Sequence, residues 1–282
     1  MNKKFAESFG WDIETRPVSF VGRDGNLVSD NNYKMIIRND NESVLSVMKK
    51  AYCPMSIANF EESAHRMAEI SGFPLLGFQE FKDGQITLAI LENIHEDLQI
   101  GDFPIKDYLV MGSSFNGDKP FFVGTSTILI RCENAFSRIN TIESVRHTKN
   151  SPQRREVLFG YLQNYFEERK QLYAKMTDML SVPVNEAQKV NFVREVLSIP
   201  ELVPGKELHS RTVGRIEELT QCIDGEMKDV GENVFGLFQG VTKYTTHHLK
   251  SRTEGSFGNL LGTADLYNQK AFGLSVKLLE SA

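Results

Sequence analysis

Five side chains that can meet an anion crowd into "ESVRHTKNSPQRRE", residues 143–156. Arg146, His147, Lys149, Arg154 and Arg155 stand between Glu143 and Glu156 with no acid among them. Arginine presents forked N–H donors that match phosphate oxygens, and lysine adds a point charge. Ser151 caps a predicted helix with Pro152 at its first position. Free backbone N–H groups and the positive end of the helix dipole then fall beside those side chains. Arg154 and Arg155 occupy the first turn, where that dipole disfavours each cation by about 0.3–1 kcal/mol. A phosphodiester backbone fits this elbow. The alternative is a solvated helix start whose arginines pair with Glu156 and its neighbours.

A second basic stretch, "FQGVTKYTTHHLKSR" (238–252), holds Lys243, Lys250, Arg252 and the adjacent His247 and His248, again without an acid. Cations interleaved with rings suit single-stranded nucleic acid. Phosphates follow the cations while bases stack on the rings, at about 1–3 kcal/mol per base. Phe235, Phe238 and Val241 recur at helical spacing and read as core, which leaves Tyr244 as the ring for stacking. The expected nucleic-acid contacts are therefore Arg146, His147, Lys149, Arg154, Arg155, Lys243, Tyr244, His247, Lys250 and Arg252.

Catalysis has less support. His247 and His248 diverge by about 100° on a helix and do not converge on one ion. A metal would need His147 or His209 with added acids, and no H-E-x-x-H or paired C-x-x-C occurs. Cys132 with His147 could form a nucleophile pair, but Cys132 sits in a strand pattern and reads as a small buried apolar residue. "GKELHS" around Lys206 lacks the glycine spacing of a phosphate loop. Gly112, Gly117 and Gly124 read as hairpin punctuation, without the strand–G-x-G-x-x-G–helix order of a dinucleotide site. No metal and no cofactor is expected. A metal-dependent nuclease using His147 or His247 stands as the catalytic alternative.

The net charge of −5 excludes bulk attraction to polyanions. Residues 1–145 carry −6 and residues 146–282 carry +1, so an anionic partner is expected on the second half. Cys53, Cys132 and Cys222 are odd in number and widely spaced, which fits a reducing cytoplasm. No apolar run has the length of a membrane span, and the first residues carry no secretory h-region. A cytoplasmic protein without a membrane partner is expected.

The elements that must position these residues change character midway. Residues 1–17 read as a polar arm anchored by Phe5, Phe9 and Trp11. Residues 18–145 read as a sheet-rich subdomain. Asp24-Gly25, Asp83-Gly84 and Asn116-Gly117 mark hairpins there, because glycine accepts the positive φ those turns need. "NNYKMIIRND" reads as a further short strand, and "ESVLSVMKKAYCPM" as strand or helix. A helix capped by Ser56 and stopped by Gly72 carries Phe60, Ala64, Met67, Ala68 and Ile70 on its apolar face. From 146 to 282 the period becomes helical. A long helix over 151–180 has Val157, Tyr161, Tyr165, Leu172 and Met176 on its apolar face, and further helices start near 185, 210, 232 and 259. The expected class is α+β: an antiparallel sheet with a packed helix, then a helical C-terminal half.

Three blocks in this order, "TSTILIRCENAF" (125–136), "SVRHTKN" (144–150) and "GVTKYTTHH" (240–248), resemble the phage/plasmid-like proteins catalogued as domain of unknown function 932. The resemblance runs from about Val21 to the C-terminus. It places Cys132 and Asn134 in the first block and Arg146, His147 and Thr148 in the second. In the third, an aromatic followed by Asp-His becomes Tyr244 and then Thr246-His247, and the absent acid weakens any carboxylate role there. The resemblance implies a mobile-element context in a bacterial host. With the two basic stretches it points to a nucleic-acid-binding protein, acting on single-stranded DNA in recombination or annealing and assembling as a homo-oligomer. The alternative is a non-catalytic protein-interaction factor, for anti-defence or assembly, that uses the acidic stretch from Glu92 to Asp102.

Overall fold

The computed structural model describes residues 5–94, 98–129, 135–200, 208–249 and 263–282, with the backbone alone at 128–129, 135–143 and 161–168. The fold is α+β. The chain divides into two compact units whose sequences interleave. Unit 1 takes Met1–Glu96, Tyr108–Thr125 and Asn140–Tyr165; unit 2 takes Asp97–Asp107, Ser126–Ile139 and Phe166–Ala282.

Unit 1 opens with a three-stranded antiparallel sheet, β1 (Ile13–Val21), β2 (Leu27–Arg38) and β3 (Val44–Lys49). The Asp24 carboxylate accepts from the Asn26 amide and side chain, and Gly25 takes φ 80°, so the hairpin closes where the sequence places it. The short strand expected at "NNYKMIIRND" is the second half of one 12-residue strand, and β3 resolves the ambiguous segment after it as extended. The register shifts between Pro17, opposite Lys34, and Val18, opposite Asp30. Beyond that shift β2 pairs with β1 alone, and Phe20, Val21 and Leu27 are 55, 69 and 73% exposed. Trp11 turns inward with Ile36, Leu45, Ile57 and Phe115.

Helix α1 (Ile57–Ser71) begins where the Ser56 side chain accepts from the Asn59 amide at 3.2 Å and ends at Gly72 in the left-handed region. Phe60, Ala64 and Met67 are buried as expected; Ile70 is exposed, because the buried stripe runs through Ile57 instead. Strands β4 (Leu75–Phe81) and β5 (Ile86–Glu92) join through Lys82, Asp83 and Gly84, all at positive φ. A Cβ on Gly84 would lie 2.9 Å from the Trp11 ring and from the Arg38 guanidinium, so the turn and its neighbours require glycine. Strands β6 (Gln99–Ile100), β7 (Phe103–Ser114), β8 (Phe121–Leu129) and β9 (Ala135–Val145) complete a sheet of order β4-β5-β7-β8-β9, with β6 paired to β7. The sequence reading did not resolve β9, whose "AFSRINTIESV" lacks a clean alternation.

The long helix α2 runs Ser151–Leu180, with the bounds the periodicity predicts. Its apolar face differs near the start: Val157 is exposed while Leu158 and Phe159 are buried. Tyr161 and Tyr165 lie outside the residues whose side chains are described. Unit 2 continues with α3 (Glu186–Val196), α4 (Ser210–Val230), α5 (Val234–Lys243), a π turn over Tyr244–His248 and α6 (Thr263–Glu280). Asn185 starts α3 with a capping box, its side chain accepting from the Gln188 amide at 2.9 Å and the Gln188 side chain accepting in return. The core joins Met176, Phe192, Leu219, Ile223, Phe235, Phe238 and Val241 among others, so the two phenylalanines are core as read. A Cβ on Gly240 would meet Ile223 Cα at 2.4 Å, so α5 lies directly on the α4 backbone there. Also in unit 2, the buried Arg169 guanidinium bonds Asp107, Thr127 and the Tyr173 hydroxyl.

Candidate anion-binding elbow

Strand β9 delivers the chain to Val145, which is buried, and α2 begins six residues later. Backbone bonds hold the intervening turn: Thr148 N–H donates to the Arg146 carbonyl and Ser151 N–H to the Thr148 carbonyl, both at 2.9 Å. Arg154 N–H donates to the Asn150 carbonyl at 3.3 Å. The sequence expectation of free amides at this helix start is thus reduced, because two are occupied and Pro152 has none.

The side chains sort by position. Arg146, Lys149 and Arg154 are exposed, while His147 is 8% exposed. Its ring lies 5.3 Å from the Tyr52 ring, and its carbonyl accepts the Cys53 N–H at 3.2 Å. The Tyr52 hydroxyl donates to the Ser114 carbonyl at 2.8 Å, which fixes the wall against which His147 rests. Burial pulls His147 down to about 4; hydrogen bonding to the Lys119 backbone opposes that, and the Arg155 charge adds to it. His147 is therefore neutral at pH 7 and contributes no standing charge. Its Nε2 is buried without a hydrogen-bond partner among the described residues.

Arg155 differs from its neighbour Arg154. Adjacent residues on a helix point about 100° apart, and Arg155 turns into the unit, half-buried, its guanidinium carbon 5.9 Å from the centre of the Phe121 ring. Burial lowers its proton affinity, and the charges of Glu156 and Glu62 offset that only in part. No hydrogen bond or ion pair joins its guanidinium to another described residue. Glu156, the acid expected to neutralise these arginines, is held by Arg66 of α1 at 2.6 Å. Tyr52, Phe121 and Lys119, which complete this surrounding, were not identified from sequence. They come from β8, the β7–β8 turn and the segment after β3, and no local pattern ties them to residue 147.

The second stretch, in unit 2, is built differently. Lys243 Nζ lies 2.8 Å from Glu226 Oε1, and that carboxylate is buried. Tyr244 is 2% exposed within the helical core, with the Arg215 charge acting on its hydroxyl. The inward turn follows from Gly240: it seats α5 so close to α4 that the next turn faces the core. Tyr244 is not available to a strand, which corrects its place in the contact set; Lys243 is one-third exposed, with its charge paired to Glu226. His247 is exposed, and His248 Nδ1 lies 3.5 Å from Glu218. The Leu249 amide closes the π turn onto the Tyr244 carbonyl at 2.8 Å. Lys250 and Arg252 lie outside the described residues, as do Cys132, Asn134 and positions 95–97 of the acidic stretch. Among the described residues, no group of three or more His, Cys, Asp or Glu side chains is placed to hold a metal ion, and no helix is long and apolar enough to cross a membrane.

No curated protein and no solved structure matches the chain. Residues 44–263 match the family described as Domain of unknown function (DUF932). That span takes in all three sequence blocks, the elbow and the π turn, and it covers most of the chain: the protein belongs to the domain of unknown function 932 family.

Proposed function

We propose that this protein binds nucleic acid through the elbow of unit 1, with sugar-phosphate backbone seated on Arg146, Lys149, Arg154 and Arg155. One observation carries the reading: Arg155 is a half-buried guanidinium without a bonded counter-charge among the described residues, in a stretch whose flanking acid is engaged by Arg66. Desolvating a charge without a partner is unfavourable, and a phosphate oxygen supplies the missing acceptor. The neighbouring exposed cations extend the contact along a chain of phosphates. Single-stranded DNA is the expected substrate, in annealing or recombination, and a phage or plasmid setting fits that role.

Fluorescence anisotropy with a labelled single-stranded oligonucleotide tests this. Three to four phosphate contacts give a slope of log K against log salt of about −2 to −3. Absence of binding at about 50 mM salt overturns the reading.

A second reading has its own support. The β1–β2 hairpin exposes Phe20, Val21 and Leu27 and lies outside the family-matched residues. Exposed apolar clusters of this kind mark contacts with other protein chains. Replacing Phe20 and Leu27 by serine would then abolish a partner contact and leave oligonucleotide binding intact.

A further inference from the structure

Two polar groups of unit 1 have no hydrogen-bond partner among the described residues, the Arg155 guanidinium and His147 Nε2, and the Arg155 charge reaches the His147 ring. Resting on the proposed reading, we infer that they form a single-phosphate subsite in which a phosphate held by Arg155 is also hydrogen-bonded by protonated His147, so that each binding event takes up one proton from solvent.

The Lys119 backbone bond favours protonation of His147, so it is a ring N–H donating to a carbonyl. Nε2 is the orphaned nitrogen, so in the neutral ring it is a bare acceptor. A phosphodiester offers only acceptors at neutral pH. The two cannot bond until Nε2 gains a proton. The groups facing the ring do not supply that proton or stabilise it. Tyr52 meets it with an aromatic face while its hydroxyl serves Ser114, and Cys53 donates its amide to the backbone carbonyl of His147. Lys119 presents its backbone, and Arg155 opposes a second positive charge. Glu62 acts on Arg155, and Glu156 is engaged by Arg66. An anion on Arg155 reverses the local sign, and the imidazolium then gains a partner for its second N–H.

The test uses the full chain and a single-stranded oligothymidylate, with inorganic phosphate as competitor. Affinity is measured by calorimetry from pH 7.5 to 5.5, in buffers of differing ionisation enthalpy. The expected result is uptake of close to one proton and an affinity that rises toward tenfold per pH unit as pH falls. His147→Gln flattens this profile. Phosphate competition that also steepens at low pH locates the effect at a single phosphate. Salt-dependent oligonucleotide binding with no proton uptake, or a pH profile that survives in H147Q, overturns the subsite and leaves the broader reading standing. No binding at any pH at low salt overturns both. Proton uptake is read on the unaltered chain, so the outcome does not depend on the variant folding.

Discussion

Lys243 of α5 and Glu226 of α4 form an ion pair at 2.8 Å whose carboxylate is 2% exposed. A basic strip read from sequence as ligand-facing thereby spends its first cation inside the helical unit. Lys243→Ala strands a buried carboxylate, which costs about 3–5 kcal/mol when both partners are fully buried. Lys243 is itself one-third exposed, so a loss of about 2 kcal/mol is expected. The unfolding free energy from urea titration should fall by that amount, with a lower midpoint, while the salt slope of oligonucleotide binding stays unchanged.

The elbow predicts the converse pattern. Arg146, Lys149 and Arg154 project into solvent, so changing each to alanine should alter folding stability by no more than about 0.5 kcal/mol. Each change should also flatten the salt slope by about 0.7, the share of one phosphate on a single strand. The check is anisotropy across a salt series for the three variants. Loss of the fold instead would make these residues structural.

Acid should destabilise the unliganded chain through His147. Its folded value lies at about 4 and its ordinary value at 6.5. Between those values the unfolded state binds more protons, so stability falls as pH drops from 6.5 toward 4 and levels off below. The shift corresponds to about 3 kcal/mol at most. Chemical denaturation at pH 7.5 and 4.5 should show that loss, and His147→Gln should remove most of its pH dependence.

Arg38 joins the first sheet to the β4–β5 hairpin. It stacks on Trp11 at 4.1 Å, bonds Asp40 at 2.8 Å and Glu80 at 3.2 Å, and Glu80 also accepts the Trp11 indole N–H at 2.8 Å. Arg38→Met should lower stability by about 2–3 kcal/mol, because both carboxylates are partly exposed and recover some hydration. Arg38→Lys should recover only part of the loss, since it lacks the fork and the planar stack.

Local signals carried the fold well where one residue decides the geometry. Ser56 and Gly72 bound α1, Asn185 starts α3, and the glycines at 25, 84 and 117 sit at positive φ in turns the sequence marks. The reading failed where a face depends on distant neighbours. Ile70 and Val157 are apolar and helical yet exposed, because the sheet and the other helices, not the residue type, select the buried stripe. The site shows the same division. The cluster of cations at 146–155 is visible in one dimension. The separation of Arg154 from Arg155, the burial of His147 and the diversion of Glu156 to Arg66 all depend on long-range contacts.

The interleaved assignment of the chain has a practical corollary. Its backbone changes unit five times between Glu96 and Phe166. No single scission yields two self-sufficient fragments, so a shortened version ending within that stretch would leave both halves missing segments. Dissecting the molecule calls for point substitution or grafted linkers in place of truncation, and a nick in the middle of the sequence should unravel far more than the loop it severs.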